Sequence, residues 1–287
     1  MTSDDSGRIA TPLSSKMKHK ILIGDCRQVM KNLPPASVHL IVTSPPYNVG
    51  IGYGKWTDDL PIEEYLELTR TWLTEAYRIL ADGGKLCVNL PADDPNSILF
   101  EHFNIMKQLG FRLVCNIAWV KWDWSRAGKF AISKWKLDKF RYHSMNRGLL
   151  SAYESVLVMQ KNHATLKGRS DLKYEEFRDW KYNVWLISPL KDRAHPAPYP
   201  MELPRRLIKL YSLPGQNVLD PFLGSGTTMK ACMELGRNSI GIELNPDYVE
   251  MLKRQLGYGS LEIENAEQMT SAFRQQQAEF YRHFRIP

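Results

Sequence analysis

A mainly parallel α/β sheet with helices on both faces is the fold class this sequence predicts, and three observations carry it. Short apolar runs alternate along the chain with segments of helical period. The run Val38-His39-Leu40-Ile41-Val42 is too continuously apolar for a half-exposed strand and reads as a buried one. Clusters of chemistry-bearing residues recur just after the strands, where open α/β sheets hold their ligands.

Taken in order, residues 1–17 are Ser/Thr/Asp/Lys-rich without periodicity and read as a disordered lead. Lys20–Ile23 is a short strand closed by Gly24-Asp25, and a helix over Cys26–Leu33 stops at Pro34-Pro35. After the buried strand, the spaced glycines of Val49–Gly54 predict a flexible loop that moves over a ligand. Ile62–Leu80 has helical spacing with Gly83-Gly84 as its stop. Strand Lys85–Leu90, helix Ile98–Leu109 and strand Phe111–Val120 follow, then strand Ser155–Gln160 and a polar loop to Trp180. His195-Pro196-Ala197-Pro198-Tyr199-Pro200 is a stiff, polyproline-like lead into a helix over Met201–Tyr211. Strand Asn217–Asp220, a glycine turn with its helix, strand Ser239–Glu243 and helix Asp247–Leu256 complete the pattern. Residues 18–260 are thus expected to form one catalytic domain. The tail 261–287, with Phe273, Phe280, Tyr281 and Phe284, reads as a docking helix or a subunit contact in a homodimer.

Composition narrows the class. A hydrophobic content of 43% and a charged content of 24% suit a globular chain able to bury a full core. No apolar run approaches the ~18 residues that span a bilayer, and residues 1–20 lack a signal peptide's apolar core, so no membrane partner is expected. Cys26, Cys87, Cys115 and Cys232 lie far apart without a CxxC pair, which argues against zinc and disulfides and fits a reducing cytosol. The formal charge of +7 permits a polyanionic partner.

Two motifs hold the chemistry. In Thr43-Ser44-Pro45-Pro46-Tyr47-Asn48 two prolines force the chain out of the strand. The rigid turn offers a hydroxyl, proline carbonyls that need not enter regular structure, and an aromatic ring. Ser44 and the Pro45 carbonyl can accept both protons of an NH2 group while Tyr47 stacks on the ring that bears it. A surface exit turn is the plainer alternative for this motif taken alone. In Asp220-Pro221-Phe222-Leu223-Gly224-Ser225-Gly226-Thr227-Thr228 a Gly-x-Gly turn opens a helix, letting a ligand approach the backbone. Glu243 ends the next strand, where an acid can hold ribose hydroxyls. Position 229 is Met, so the third glycine of the dinucleotide fingerprint is missing. Asp220 would repel a pyrophosphate and attract an ammonium, favouring a nucleoside with a cationic arm over NAD.

With these motifs the chain resembles the DNA amino-methyltransferases that use S-adenosylmethionine. Residues 43–48 match the family's catalytic turn, so Ser44, Pro45, Pro46 and Tyr47 are the expected catalytic set. Asp220, Phe222, Gly224, Ser225, Gly226 and Thr227 match its cofactor loop, and Glu243, with Leu244 and Asn245, its ribose acid. Gly24-Asp25-Cys26 match a contact near the adenine, and His195, Pro196 and Ala197 the segment beside the methionine moiety. The resemblance covers about residues 20–256. It implies a class I methyltransferase (Rossmann-like) sheet of seven strands, starting at 217, 239, 20, 38, 85, 111 and 155, the last antiparallel. The catalytic motif precedes the cofactor motif, as in the family's circularly permuted β group. Ser at position 44 resembles the cytosine N4 enzymes, Asp there being usual for adenine N6, which remains the alternative; Tyr199, where adenine enzymes often carry Lys, leans the same way. Carbon-5 methylation is disfavoured because no cysteine follows a proline. A nucleic-acid-binding protein that has lost catalysis is the reading from a different class, and a nicotinamide oxidoreductase a more distant one.

Double-stranded DNA is the expected partner, met by a basic insert at about residues 121–150. Lys121, Arg126, Lys129, Lys134, Lys136, Lys139, Arg141 and Arg147 face only Asp123 and Asp138 there: eight basic against two acidic residues, a balance of +6. Trp122 and five other aromatics are interleaved among them, as suits phosphate contact and base stacking. A solvated basic loop is the alternative. Neutralising Lys134, Lys136, Lys139 and Arg141 together should weaken DNA binding and lower its salt slope by up to about 4. An unchanged slope in a salt titration would reduce the insert to a solvated surface.

Overall fold

The structure is a computed structural model and describes residues 17–52, 58–94, 96–123, 129–130, 151–190, 199–256 and 261–265. Eleven strands are seen there: β1 His19–Ile23, β2 Val38–Thr43, β3 Leu80–Pro91, β4 Phe111–Val120, β5 Trp122–Asp123, β6 Lys129–Phe130, β7 Tyr153–Lys161, β8 Val184–Leu186, β9 Asn217–Asp220, β10 Asn238–Glu243 and β11 Glu262–Asn265. The helices are α1 Cys26–Val29, α2 Ile62–Ile79, α3 Ile98–Gln108, α4 Tyr174–Trp180, α5 Glu202–Tyr211, α6 Thr227–Glu234 and α7 Pro246–Leu256.

Nine strands form one sheet in the order β11-β1-β10-β9-β2-β3-β7-β4-β8, and β5 with β6 makes a separate two-stranded ribbon. The seven expected strands are all in the large sheet, and β8 and β11 extend it at the two edges. Of the sheet's described strands, β7 alone runs against its neighbours, antiparallel to both β3 and β4. The remaining neighbours pair in parallel. The carboxyl ends of β1, β2, β3, β4, β9 and β10 therefore lie along one edge, and the amino end of β7 joins them.

Alternation along the central strands feeds two cores. Ile41 and Leu86 point into the layer under α2 and α3, with Trp72, Leu73, Ala76, Ile79, Ile105 and Met106. Leu40, Val42 and Cys87 point into the opposite layer, against Leu203, Leu207, Ile208, Ala231 and Cys232 of α5 and α6. Strands buried on both faces have no polar side to show, which is why β2 is apolar almost throughout. In α2 the buried positions Tyr65, Thr69, Trp72, Leu73, Ala76 and Ile79 recur at helical spacing, and Glu63 and Glu64 in its first turn complement the helix dipole.

Several local expectations need correction. Helix α2 ends at Ile79, before Gly83-Gly84, and the glycines sit inside β3 at a register shift opposite β2. Gly83 is required there: its φ is +79°, and a Cβ would lie 2.5 Å from the Ala164 carbonyl oxygen. The polar stretch up to Trp180 contains α4, and Asp171 just before it pairs bidentately with the fully buried Arg237 (2.6 and 2.7 Å). The tail begins as strand β11 paired with β1, where a helix was expected; residues 266–287 and 1–16 lie outside the described residues.

His102 on α3 lies against the rings of Tyr65 and Trp72 (centroids 6.0 and 6.3 Å) with Nδ1 2.9 Å from the Ile98 carbonyl oxygen. Burial lowers its pKa from 6.5 to about 4, so the folded chain keeps it neutral where the unfolded chain protonates it. Its contribution is therefore complete above about pH 6.5 and is lost as pH falls toward about 4, on the order of 3 kcal/mol in all. Urea titrations should show that His102→Phe flattens the stability slope between pH 6.5 and 4.5. An unaltered slope would exclude His102 as its source.

Candidate active site

A cleft of about 1130 Å³ runs along the carboxyl edge of the sheet. The catalytic turn forms one of its walls. Thr43 ends β2 with its hydroxyl donated to Asp220 (2.8 Å), and Pro45-Pro46 then stop the pairing. The turn's two proline carbonyls are not equivalent: the Tyr65 hydroxyl of α2 donates to that of Pro46 (2.8 Å). Pro45 faces the cleft with Ser44, and no bond to its carbonyl is seen among the described residues. Ser44 Oγ lies 2.8 Å from the Tyr47 hydroxyl. That hydroxyl also receives Asn89 Nδ2 (2.9 Å) and lies 3.3 Å from Glu154 Oε2 at the start of β7. Asn89 Nδ2 reaches the same Glu154 oxygen (2.5 Å), and Lys121 closes the cluster with an ion pair to Glu154.

The first part of the loop after the turn, expected to move over a ligand, is tied down. The Asp58 carboxylate accepts the backbone amides of Asn48, Val49 and Ile51 (2.9, 3.1 and 3.0 Å), and Asn48 and Leu60 exchange two more bonds. Residues 48–51 are therefore pinned; 53–57 lie outside the described residues.

The opposite wall is the glycine turn. Gly224 and Gly226 adopt φ of +49° and +72°, which folds the chain tightly from β9 into α6. Gly226 packs inward, where a Cβ would come within 2.3 Å of Leu252; Phe222, Gly224, Ser225 and Thr227 line the cleft. Glu243 accepts the Gly224 amide on one oxygen and the Asn245 amide on the other, both at 2.8 Å. Each carboxylate oxygen keeps acceptor capacity for a diol. Burial raises the pKa of Glu243, against the opposing pull of those amides. Leu244 and Asn245 continue this wall. Cys26 lies at the same end, and so does Asp25, which caps α1 and is gripped by the Arg27 guanidinium. Burial works against ionisation of Asp25, but Arg27 outweighs it and holds the carboxyl below its ordinary range.

Asp220 lies beneath the cleft and not on its lining. It is 2% exposed and accepts from Thr43, from Thr228 (2.7 Å), from the Phe222 amide (3.1 Å) and from Tyr199 (3.3 Å). Burial raises its pKa despite these donors. Tyr199 also bonds Thr228 and lines the cleft, so the end of the proline-rich segment is docked. His195, Pro196 and Ala197 lie outside the described residues.

Of the insert, Arg126, Lys134, Lys136, Lys139, Arg141 and Arg147 also lie outside, and Lys129 is placed only as backbone in β6. Its roots flank the cleft: Lys121 after β4, Ser151 before β7 and Tyr153 at the start of β7 line it. Trp122 begins the β5–β6 ribbon and its carbonyl accepts from Ser188 (2.9 Å). Asn89, Glu154, Asp58 and Tyr65 had no motif to mark them.

An apolar slot with a carboxylate in one wall and a hydroxyl–carbonyl turn in the other suits the class of enzymes that transfer a group between a nucleoside and a polar acceptor. The comparisons narrow that class. The family model described as DNA methylase (N6/N4 type) matches residues 38–254, and the chain belongs to that family of S-adenosylmethionine-dependent DNA amino-methyltransferases. The type II methyltransferase M.HpaI of Haemophilus parainfluenzae is 31% identical over 248 residues, 84% of this chain and 74% of its own. A Thermus thermophilus protein described as a DNA modification methylase, solved with S-adenosyl-L-methionine, is 28% identical with a TM-score of 0.65, over 86% of this chain and 100% of that one. The PvuII cytosine-N4-specific DNA methyltransferase, at 19% identity and a TM-score of 0.65 over 94% and 93% of the chains, shares the fold.

If Glu243 holds the ribose, cofactor affinity requires its ionised form. Its raised pKa means that affinity should fall on acidification at a higher pH than an ordinary carboxyl near 4.5 would allow. Glu243→Gln should weaken S-adenosylmethionine binding by about 1.5–3 kcal/mol and remove that pH dependence. Calorimetry across pH checks both; parental affinity in a folded variant would take Glu243 out of the site.

Proposed function

We propose that the protein methylates the exocyclic N4 amino group of cytosine in double-stranded DNA, with the base flipped into the cleft. The observation that carries this is the asymmetry of the catalytic turn. Tyr65 occupies the Pro46 carbonyl, leaving Ser44 Oγ and the Pro45 carbonyl as an acceptor pair for the two protons of one amine.

The amine's lone pair is delocalised into its ring, which makes it a poor nucleophile. Two acceptors holding both N–H bonds favour a pyramidal nitrogen with a localised lone pair. Ser44 and Pro45 also fix that nitrogen's position, so the encounter needs little further ordering. Tyr47, its hydroxyl anchored, offers a ring in place of the stacking lost on flipping. Glu243, the Gly224 turn and Phe222 suit the nucleoside, and the bound cofactor supplies an electrophilic methyl on a sulfonium. Cys26, the cleft's thiol, is pushed up in pKa by burial and is a poor nucleophile, which favours amino over ring-carbon methylation. The insert rooted at the cleft mouth is proposed to grip the phosphates, and residues 18–260 to act as one catalytic unit.

Ser44 favours cytosine over adenine N6. Labelled methyl transfer to DNA, followed by mass spectrometry of the nucleosides, should give N4-methylcytosine; N6-methyladenine would overturn the base assignment, and no transfer would favour a binding protein. Ser44→Ala should slow single-turnover methylation by on the order of 100-fold with cofactor affinity intact, as for other preorganised contacts at a reacting centre.

A further inference from the structure

We propose that Glu154 is the final proton acceptor of the reaction, reached through the hydroxyls of Ser44 and Tyr47. The proposal rests on the reading of the turn as an amino-methylation site, but not on which base is the substrate.

Methylation of an NH2 group forms an N–C bond from the nitrogen's lone pair, while the electrons of the broken C–S bond stay on sulfur. The nitrogen is left with four bonds and must release one proton. Ser44 Oγ is positioned to receive it but cannot keep a second proton at neutral pH; it can only pass its own onward. The Tyr47 hydroxyl, 2.8 Å away, is under the same constraint. Glu154 Oε2, 3.3 Å beyond, is a carboxylate that can retain the proton. As each hydroxyl takes one proton and gives one up, Ser44 and Tyr47 end unchanged and Glu154 ends neutral. The positive charge lost from sulfur is matched by the negative charge lost from Glu154.

The surroundings hold the end of the relay in place, while the Asn89 carbonyl (3.2 Å) competes with Glu154 for the Tyr47 hydrogen. Asn89 donates to the same Glu154 oxygen, and Lys121 pairs with the other. Among the described residues, Lys121 and Tyr47 are the titratable side chains bonded to Glu154, and Asp93 and Asp94 line the same cleft. The Glu154 side chain is 16% exposed at the cleft wall, so its proton can leave to water after turnover. Because Glu154 acts through Tyr47 and not on the base, it is a positioning residue that drains the proton.

Two variants test the relay without disturbing stacking or shape: Tyr47→Phe and Glu154→Gln. In single-turnover assays with saturating DNA and cofactor, each should slow methyl transfer at least 10-fold, with both affinities within about threefold of the parent. The double variant should be no slower than the worse single one, since both cut the same path. Glu154→Asp, which keeps a carboxylate to take up the proton, should recover part of the rate that Glu154→Gln loses. Either variant at the parental rate overturns the relay, as does an additive double variant. A Glu154→Asp variant no faster than Glu154→Gln also overturns it, reducing Glu154 to a packing role. Ser44→Ala at the parental rate would instead sink the reading of the turn itself.

Discussion

The buried carboxylate of Asp220 holds this architecture together. It sits at the end of β9 and accepts from Thr43 at the end of β2, from Thr228 in α6, from the Phe222 amide and from Tyr199. Those donors come from the catalytic turn, the glycine turn and the proline-rich segment. One side chain therefore sets the spacing of both cleft walls. A carboxyl buried this deeply is tolerated only while its donors remain, and leaving one of its bonds unmade costs about 1–3 kcal/mol. The two walls of the cleft are thus coupled through a residue that lines neither.

The second constraint is the reversed strand. Antiparallel β7 brings its amino end, and with it Glu154, to the edge where the other strands end. In register, Glu154 lies across from Pro91 on one side and Trp119 on the other. The same reversal sets both roots of the basic insert at the mouth of the cleft. One change of strand direction therefore supplies a carboxylate beside the Ser44–Tyr47 turn and brings Lys121 and Ser151 to the same edge of the cleft.

The carboxylates of the cleft differ by their surroundings. Asp220 and Glu243 are buried with raised pKa values, whereas Asp25 is held low by Arg27. Glu154 keeps an ion pair and partial access to water. Similar side chains are thereby suited to clamping, to holding hydroxyls and to taking up a proton.

Read alone, the residues of this chain determined the fold class, the seven main strands within a few residues and both motifs, because each rests on local rules. A buried strand must be apolar, two prolines must end it, and a glycine turn must precede a helix. Those rules do not extend to what one segment does to another. That Pro46 loses its carbonyl to Tyr65, that Asp58 pins the loop at 48–51, and that Asn89 and Glu154 converge on Tyr47 depend on contacts between residues 7 to 107 positions apart. Strands β8 and β11 are only three and four residues long, too short for a period to show, and pairing with a neighbour makes them strands. Tertiary structure decided these, since hydrogen-bond partners and burial belong to the packed chain and leave no periodic trace along it.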